Sequence, residues 1–381
     1  MDGRGQTETR RASSMRYPTI DALRGFALIS MVSSHVSLPD NPTEADIILH
    51  KAVWIDGAFY FVALSGLVAG LVHRRIVDRY GFNASAQKLT KRAGFIYLVQ
   101  LFLVALTITL ASTRSSAQLF HTPTWSELGG VLRGMVDVAL LRVEPNFTGV
   151  LPMYVFFLLL AVPAVWALRR NLWWAVAGGS LLLFAIAKGF GGFRFASWGG
   201  SFDPFGWQLL FIGGLLLGWT WENERLEIPE RLRRYFVMSS IAVTAVFLFL
   251  ALKLEQQTED VFGPLLGKFG GPPLAFVFAG CALITAYAFL DRIRRWPVVN
   301  TILRPIEILG VKGLPGYVAM VLTILFFATF PSLPRNDLTV VFVVLVAGCS
   351  EYGAWKLAQR RSTRTAVRRQ QQMAAVSAAS A

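Results

Sequence analysis

The sequence predicts an all-α protein: a polytopic transmembrane helical bundle of about ten spans, with both termini in the cytoplasm. Three observations predict it. Hydrophobic residues fill 54% of the 381 positions and charged residues only 16%. A soluble chain of this length would cover its core with far more charge. The charges also come in short clusters, separated by apolar runs long enough to cross a hydrocarbon layer of ~30 Å. Finally, the Lys and Arg residues gather in alternate loops, the asymmetry that orients membrane helices.

A polar, Arg-bearing tail occupies 1–19. The apolar run after it resembles a signal peptide, but no small-residue cleavage site closes it, so it reads as an uncleaved first span. The transmembrane domain covers 20–357, with spans near 20–38, 53–73, 93–112, 150–168, 172–188, 204–221, 235–254, 272–291, 313–331 and 338–357. A basic tail, 358–381, rich in Arg, Gln and Ala, is expected to be disordered or lipid-facing. With a cytoplasmic N-terminus, 26 of the 37 Lys and Arg residues fall inside and nine outside, and reversal would invert that bias. This makes the chain a multi-pass protein of the inner (plasma) membrane.

The longest outside loop, 112–149, contains a helix-like stretch from Leu128 to Leu141, with Arg133 and Asp137 four residues apart. It reads as an ordinary amphipathic surface helix or as an interfacial or re-entrant one. Gly66 and Gly70 in the second span, and Gly214 and Gly218 in the sixth, have the small-residue spacing that lets helices approach closely. No internal repeat or matching pair of broken helices marks a secondary transporter.

The net charge of +14 follows topology, so nucleic acid is not an expected partner. Cys281 and Cys349 lie in apolar runs and make no disulfide framework. His50, His73 and His121 are scattered over different loops, so no metal site is expected, and no Gly-x-Ser-x-Gly elbow supports a serine nucleophile.

Chemistry concentrates in the first span, Ile20-Asp21-Ala22-Leu23-Arg24-Gly25, followed by His35. Ionisable groups in a membrane helix are costly and are functional candidates by default. Arg24 and His35 are eleven residues apart, about three turns, and Asp21 is an i,i+3 neighbour of Arg24; all three share one helix face. A cation near the cytoplasmic mouth suits a phosphate-bearing donor. A neutral imidazole deeper in suits a general base that takes a proton from a hydroxyl. The blander alternative is an interfacial Asp21–Arg24 pair and a His35 that bonds a neighbouring helix.

Arg24 and His35 together resemble the signature of a large family of bacterial integral-membrane acyltransferases that O-acylate surface glycans. Within it the chain most resembles the OpgC family, which succinylates osmoregulated periplasmic glucans. The stretch Asp56 to Gly66 is similar to that family's second-span motif, Leu151-Pro152-Met153-Tyr154 to its Leu-Pro-x-Tyr element, and Phe202-Asp203-Pro204-Phe205-Gly206-Trp207-Gln208 to its Phe-Asn-Pro-x-x-Trp-Gln element. The chain departs from the family at Asp203, at Phe59 and at Lys312-Gly313-Leu314-Pro315.

The resemblance implies an enzyme that moves an acyl group, succinyl in the family, from cytoplasmic acyl-CoA to a hydroxyl of an extracytoplasmic glycan. Acyl-CoA is then a co-substrate and no cofactor stays bound. His35, Asp21 and Arg24 are the expected catalytic residues. Arg24, Lys91 and Arg92 are expected to hold the donor's phosphates, as a similar basic pair does in the wider family. Asp56, Asp203, Trp207 and Gln208, at the outer starts of spans two and six, are suited to gripping sugar hydroxyls, although an interfacial Trp is also an ordinary membrane anchor. The competing reading is a transporter or flippase for a lipid or sugar.

Overall fold

The computed structural model describes residues 17–36, 57–113, 122–145, 147–189, 203–221, 229–253, 273–311, 313–330 and 338–350, with a few single positions beyond 330. Its regular structure is helical: α1 (Pro18–Val36), α2 (Gly57–Thr113), α3 (Val131–Ala139), α4 (Val150–Leu168), α5 (Trp173–Gly189), α6 (Pro204–Thr220), α7 (Glu230–Lys253), α8 (Pro273–Ile293), α9 (Pro297–Val311), α10 (Gly313–Thr329) and α11 (Leu338–Ser350). Proline opens α1, α6, α8 and α9. Its missing N–H costs nothing in the first turn and its fixed φ already suits a helix.

Three helices among the described residues are long and apolar enough to cross a membrane: α2, α4 and the stretch Phe276–Ile293 of α8. A fourth counts when α9 and α10, bent by 97°, are taken as one broken span. The other expected spans fall on helices that are shorter or more polar, such as α1, α5, α6 and α7. The outer surface is apolar, with Phe95, Leu98, Phe102, Trp173, Trp174, Phe236, Phe249 and Phe289 all exposed. An apolar exterior over so many helices fits a lipid solvent, not water.

The 57-residue α2 holds two of the expected spans. Its helical geometry breaks at Gly81, with φ 80° and ψ 172°, a conformation that glycine adopts without a Cβ penalty. His73 and Ser85 flank the break and touch side chain to side chain. Twelve residues on a straight helix would hold them ~18 Å apart, so arms 57–80 and 82–113 fold back as a hairpin.

Glycines set the closest helix crossings. On the first arm of α2, a Cβ at Gly66 would collide with the carbonyl of Phe211, and one at Gly70 with that of Leu215. On α6, a Cβ at Gly214 would meet the carbonyl of Ala63, and one at Gly218 that of Leu67. The two small-residue pairs read from the sequence are therefore partners of each other. Similarly, Gly25 of α1 lies against Ile306 and Gly310 of α9 against Asp21. Around these crossings the core is aromatic: Phe157 stacks on Phe211 at 5.3 Å, and Phe59 meets Trp207 at 4.3 Å.

The outer-loop helix is shorter than the sequence indicates, and Asp137 pairs with Arg142 at 3.4 Å instead of with Arg133. Before it, Trp125 bonds Ser112 through its backbone N–H and Thr109 through its indole. At its far end the Tyr97 hydroxyl donates to the Ala139 carbonyl at 2.6 Å. Tyr97 and Thr109 are ~18 Å apart along the second arm of α2, so α3 lies lengthwise against that arm. Val138 packs on Val104 and Ile108, while Leu132, 83% exposed, is on the opposite side.

Candidate functional site

Arg24 is only 4% exposed despite its charge. The α1–α9 crossing brings it inside the bundle. Its guanidinium lies 5.6 Å from the Phe61 ring and rests against Gly313 at the start of α10. A side chain at 313 would take the space that Arg24 Nη2 fills. One of the family departures thus has a local reason. Asp21, Tyr154 and Arg92 all lie within electrostatic range of Arg24. Its Nε is buried with no acceptor among the described residues.

Tyr154, from the Leu-Pro-x-Tyr element of α4, donates its hydroxyl to the Phe61 carbonyl at 3.3 Å. Ser65 Oγ sits beside that hydroxyl without completing a well-formed hydrogen bond. Arg24, Ser65 and Tyr154 are therefore a polar cluster formed by α1, α2 and α4 inside an apolar core.

On the second arm of α2, Arg92 and Lys91 are both exposed. Arg92 lies within electrostatic range of Arg24, Tyr154 and His73, and Lys88 within range of His73. Lys91 is a further 100° round the helix from Arg92, away from the buried face formed by Ser85, Leu89, Ala93 and Ile96. Arg74 has a structural partner: its Nη1 donates to the Trp219 carbonyl at 2.5 Å, near the C-terminal end of α6 where backbone acceptors are left over.

His35 stands at the other end of α1, ~16 Å along the axis from Arg24. It is half-buried, with its ring edge-on to Phe147 at 6.3 Å. The Phe147 carbonyl accepts from the Tyr317 hydroxyl of α10 at 2.7 Å. Thr148 closes the same turn onto Pro145 through both its backbone N–H and its hydroxyl. Three residues before Phe147 lies Glu144, 7% exposed, whose carboxyl is pushed up to about 7 by desolvation.

The expected acceptor-side residues sit at the start of α6. Asp203 caps the helix: one carboxylate oxygen accepts the Phe205 N–H at 3.0 Å, as an N-cap Asp does. Its other oxygen is buried with no partner among the described residues, and Lys188 is within electrostatic range. Trp207 is fully buried against Phe59. Gln208 is also fully buried; Oε1 accepts from the Ser180 hydroxyl and Nε2 donates to the Ser180 carbonyl, both at 2.7 Å. That reciprocal pair ties α6 to α5. Asp56 lies outside the described residues. Among the described residues, no group of three or more His, Cys, Asp or Glu could hold a metal ion.

Three parts of this arrangement escape a reading of the sequence. The His73–Ser85 contact has no periodic signal, because it depends on where the hairpin turns. Glu144 is one acid in a polar loop until its burial is known. Gln100, on the second arm of α2, lies in an apolar run and belongs to no motif; its amide nitrogen and oxygen are both buried without a partner among the described residues.

Fold and site together define a helical membrane protein with a buried polar cluster around Arg24 inside an aromatic bundle. The family model described as OpgC protein matches residues 16–362, and the chain belongs to that family. Membership implies a transferase that modifies glucans. No curated protein matches the chain, and no solved structure matches it.

Proposed function

We propose that the protein is an integral-membrane O-acyltransferase of about ten spans, with both termini cytoplasmic, that moves an acyl group from acyl-CoA to a hydroxyl of an extracytoplasmic glycan. One observation carries this reading: α1 holds a buried guanidinium, with a donor left unfilled by the described residues, at one end and a half-buried imidazole at the other. The first suits an anionic donor and the second suits proton transfer.

The donor's phosphates meet Arg92, Lys91 and Lys88 at the cytoplasmic mouth, and Arg24 holds the donor further in, oriented by Asp21. Arg presents a planar fork that matches phosphate geometry. The thioester reaches His35, which takes the proton of the attacking hydroxyl. The new C–O bond forms as the C–S bond breaks, and the departing thiolate takes the proton from His35. The products are an ester and free CoA. A transient acyl-His35 is the covalent version of the same exchange. On the outer side, the unfilled Asp203 oxygen and the Phe147–Tyr317 corner suit a sugar hydroxyl, with Trp207 and Gln208 behind them and Asp56 at the neighbouring span. Succinyl is the acyl group that the family favours.

The test compares surface glycans from cells carrying wild type and His35→Ala at equal membrane abundance, using mass spectrometry for added acyl mass. Acylation present with wild type and lost in the variant supports the reading and names the acyl group. Equal acylation in both removes His35 as the base. No acylation in either, with substrate moved across the membrane, points to transport.

A further inference from the structure

Gln100 lies within the apolar run that follows Arg92, on the buried face of α2 that also carries Ile96, Leu103 and Val104. It is 1% exposed, and neither its Nε2 nor its Oε1 has a hydrogen-bond partner among the described residues. An amide in such surroundings is costly to leave unpaired, and most buried polar groups in folded proteins are satisfied. Leucine or methionine would fill similar volume without that cost. Ser65 Oγ and Arg24 Nε are among the other buried groups left incomplete by the described residues.

Position gives the amide a purpose. Gln100 is eight residues beyond Arg92, ~12 Å along the arm, towards the membrane interior from the cationic mouth. On the acyltransferase reading, a donor held there by its phosphates would run its thioester arm along this arm of α2. In acyl-CoA that arm carries two secondary amides, each with one N–H and one C=O. A glutamine amide offers the complementary donor and acceptor, Nε2–H and Oε1.

We propose that Gln100 pairs with an amide of the pantetheine arm and so selects acyl-CoA over donors without amides. The inference rests on the acyltransferase reading and adds a specificity-determining residue to it. Binding is non-covalent, and the amide takes no part in proton transfer.

The experiment uses full-length protein in lipid nanodiscs, as wild type, Gln100→Leu and Gln100→Met. Three quantities are read: CoA binding at equilibrium, the ratio of kcat/KM for acyl-CoA to that for an acyl thioester of a simple alkyl thiol, and the thermal midpoint. Losing two neutral hydrogen bonds to the arm lowers CoA affinity about tenfold or more. The donor ratio should fall by the same factor, with the change mainly in KM. The thermal midpoint should stay or rise, because an unpaired buried amide has been removed. Unchanged CoA binding and an unchanged donor ratio in both variants overturn the assignment of Gln100 while leaving the acyltransferase intact. A drop in midpoint with unchanged binding likewise overturns it, since the amide then serves the fold. A wild-type protein that acylates glycan without binding CoA overturns the acyl-CoA donor on which both readings rest, and the wild-type measurements show this before any variant is made.

Discussion

His73 Nδ1 lies 2.8 Å from Ser85 Oγ, although twelve residues separate the two in the chain. The bond crosses the base of the hairpin that Gly81 permits, and both residues are buried. It thus fixes how the arm carrying Lys88 and Arg92 returns past the arm carrying Phe61 and Ser65. The relative position of those groups decides whether cations and bundle interior form one lane.

Ser85→Ala should destabilise the protein by about 1–3 kcal/mol, because it leaves a buried imidazole nitrogen without its partner. A double-mutant cycle with His73→Phe isolates the pair. A coupling of about 1 kcal/mol, measured by denaturation in detergent, is the expected outcome. Coupling near zero would mean that the hairpin is held by its apolar contacts alone.

Arg24 depends on the absence of a side chain at position 313. Gly313→Val places a branched Cβ where Arg24 Nη2 now lies, so the guanidinium must move. The donor KM is expected to rise about tenfold or more, the scale of losing a charged hydrogen bond, with little change in the KM for the glycan. Arg24→Lys should show the same selectivity, because an ammonium lacks the planar fork. Steady-state kinetics with each substrate varied in turn decides it. Equal effects on both KM values would argue for a general loss of fold.

The reciprocal fit of Gly66 and Gly70 with Gly214 and Gly218 leaves no room for a Cβ against the opposing carbonyls. Gly214→Val should cost about 1–3 kcal/mol or more through overpacking. Gly213→Val on the same helix has nothing within 4 Å of its Cβ and should cost far less. Thermal unfolding of the two variants side by side checks this. Equal midpoints would show that the helices separate without penalty.

How much of this was legible depends on whether the signal is local. The shared face of Asp21, Arg24 and His35 follows from helical period, and the two glycine pairs follow from spacing. Which glycine pair meets which depends on the assembled bundle. Gln208 shows the same limit. A polar residue at the outer start of a span reads as a sugar ligand, yet both its amide atoms bond Ser180, a partner 28 residues earlier. Asp203 sits between these cases. Its N-cap role is a local feature of Asp203-Pro204 that the sugar-ligand reading passed over, whereas the unfilled second oxygen needs the packed structure. Gln100 and Glu144 carry no sequence signal, because being unusual there means being buried.

Glu144 gives a prediction with a definite sign. Its carboxyl sits at about 7 in the folded protein, against 4.5 when unperturbed, because burial disfavours the charged form. Below about 4.5 the group is neutral whether the chain is folded or not, and contributes nothing to a pH dependence. Between there and about 7 the unfolded chain releases its proton while the folded one keeps it. The unfolded state then binds fewer protons, so stability falls as pH rises through this window and is constant above it. The full difference corresponds to about 3 kcal/mol at 1.36 kcal/mol per pH unit. Glu144→Gln should therefore unfold at the same temperature as wild type near pH 4.5 and at a higher one at pH 8. Every other titrating group is common to the two proteins and cancels in the difference. Parallel pH curves would mean that the carboxyl is solvated in the membrane-embedded protein. A widening gap across the window would place an uncharged acid three residues before Phe147, whose ring meets His35.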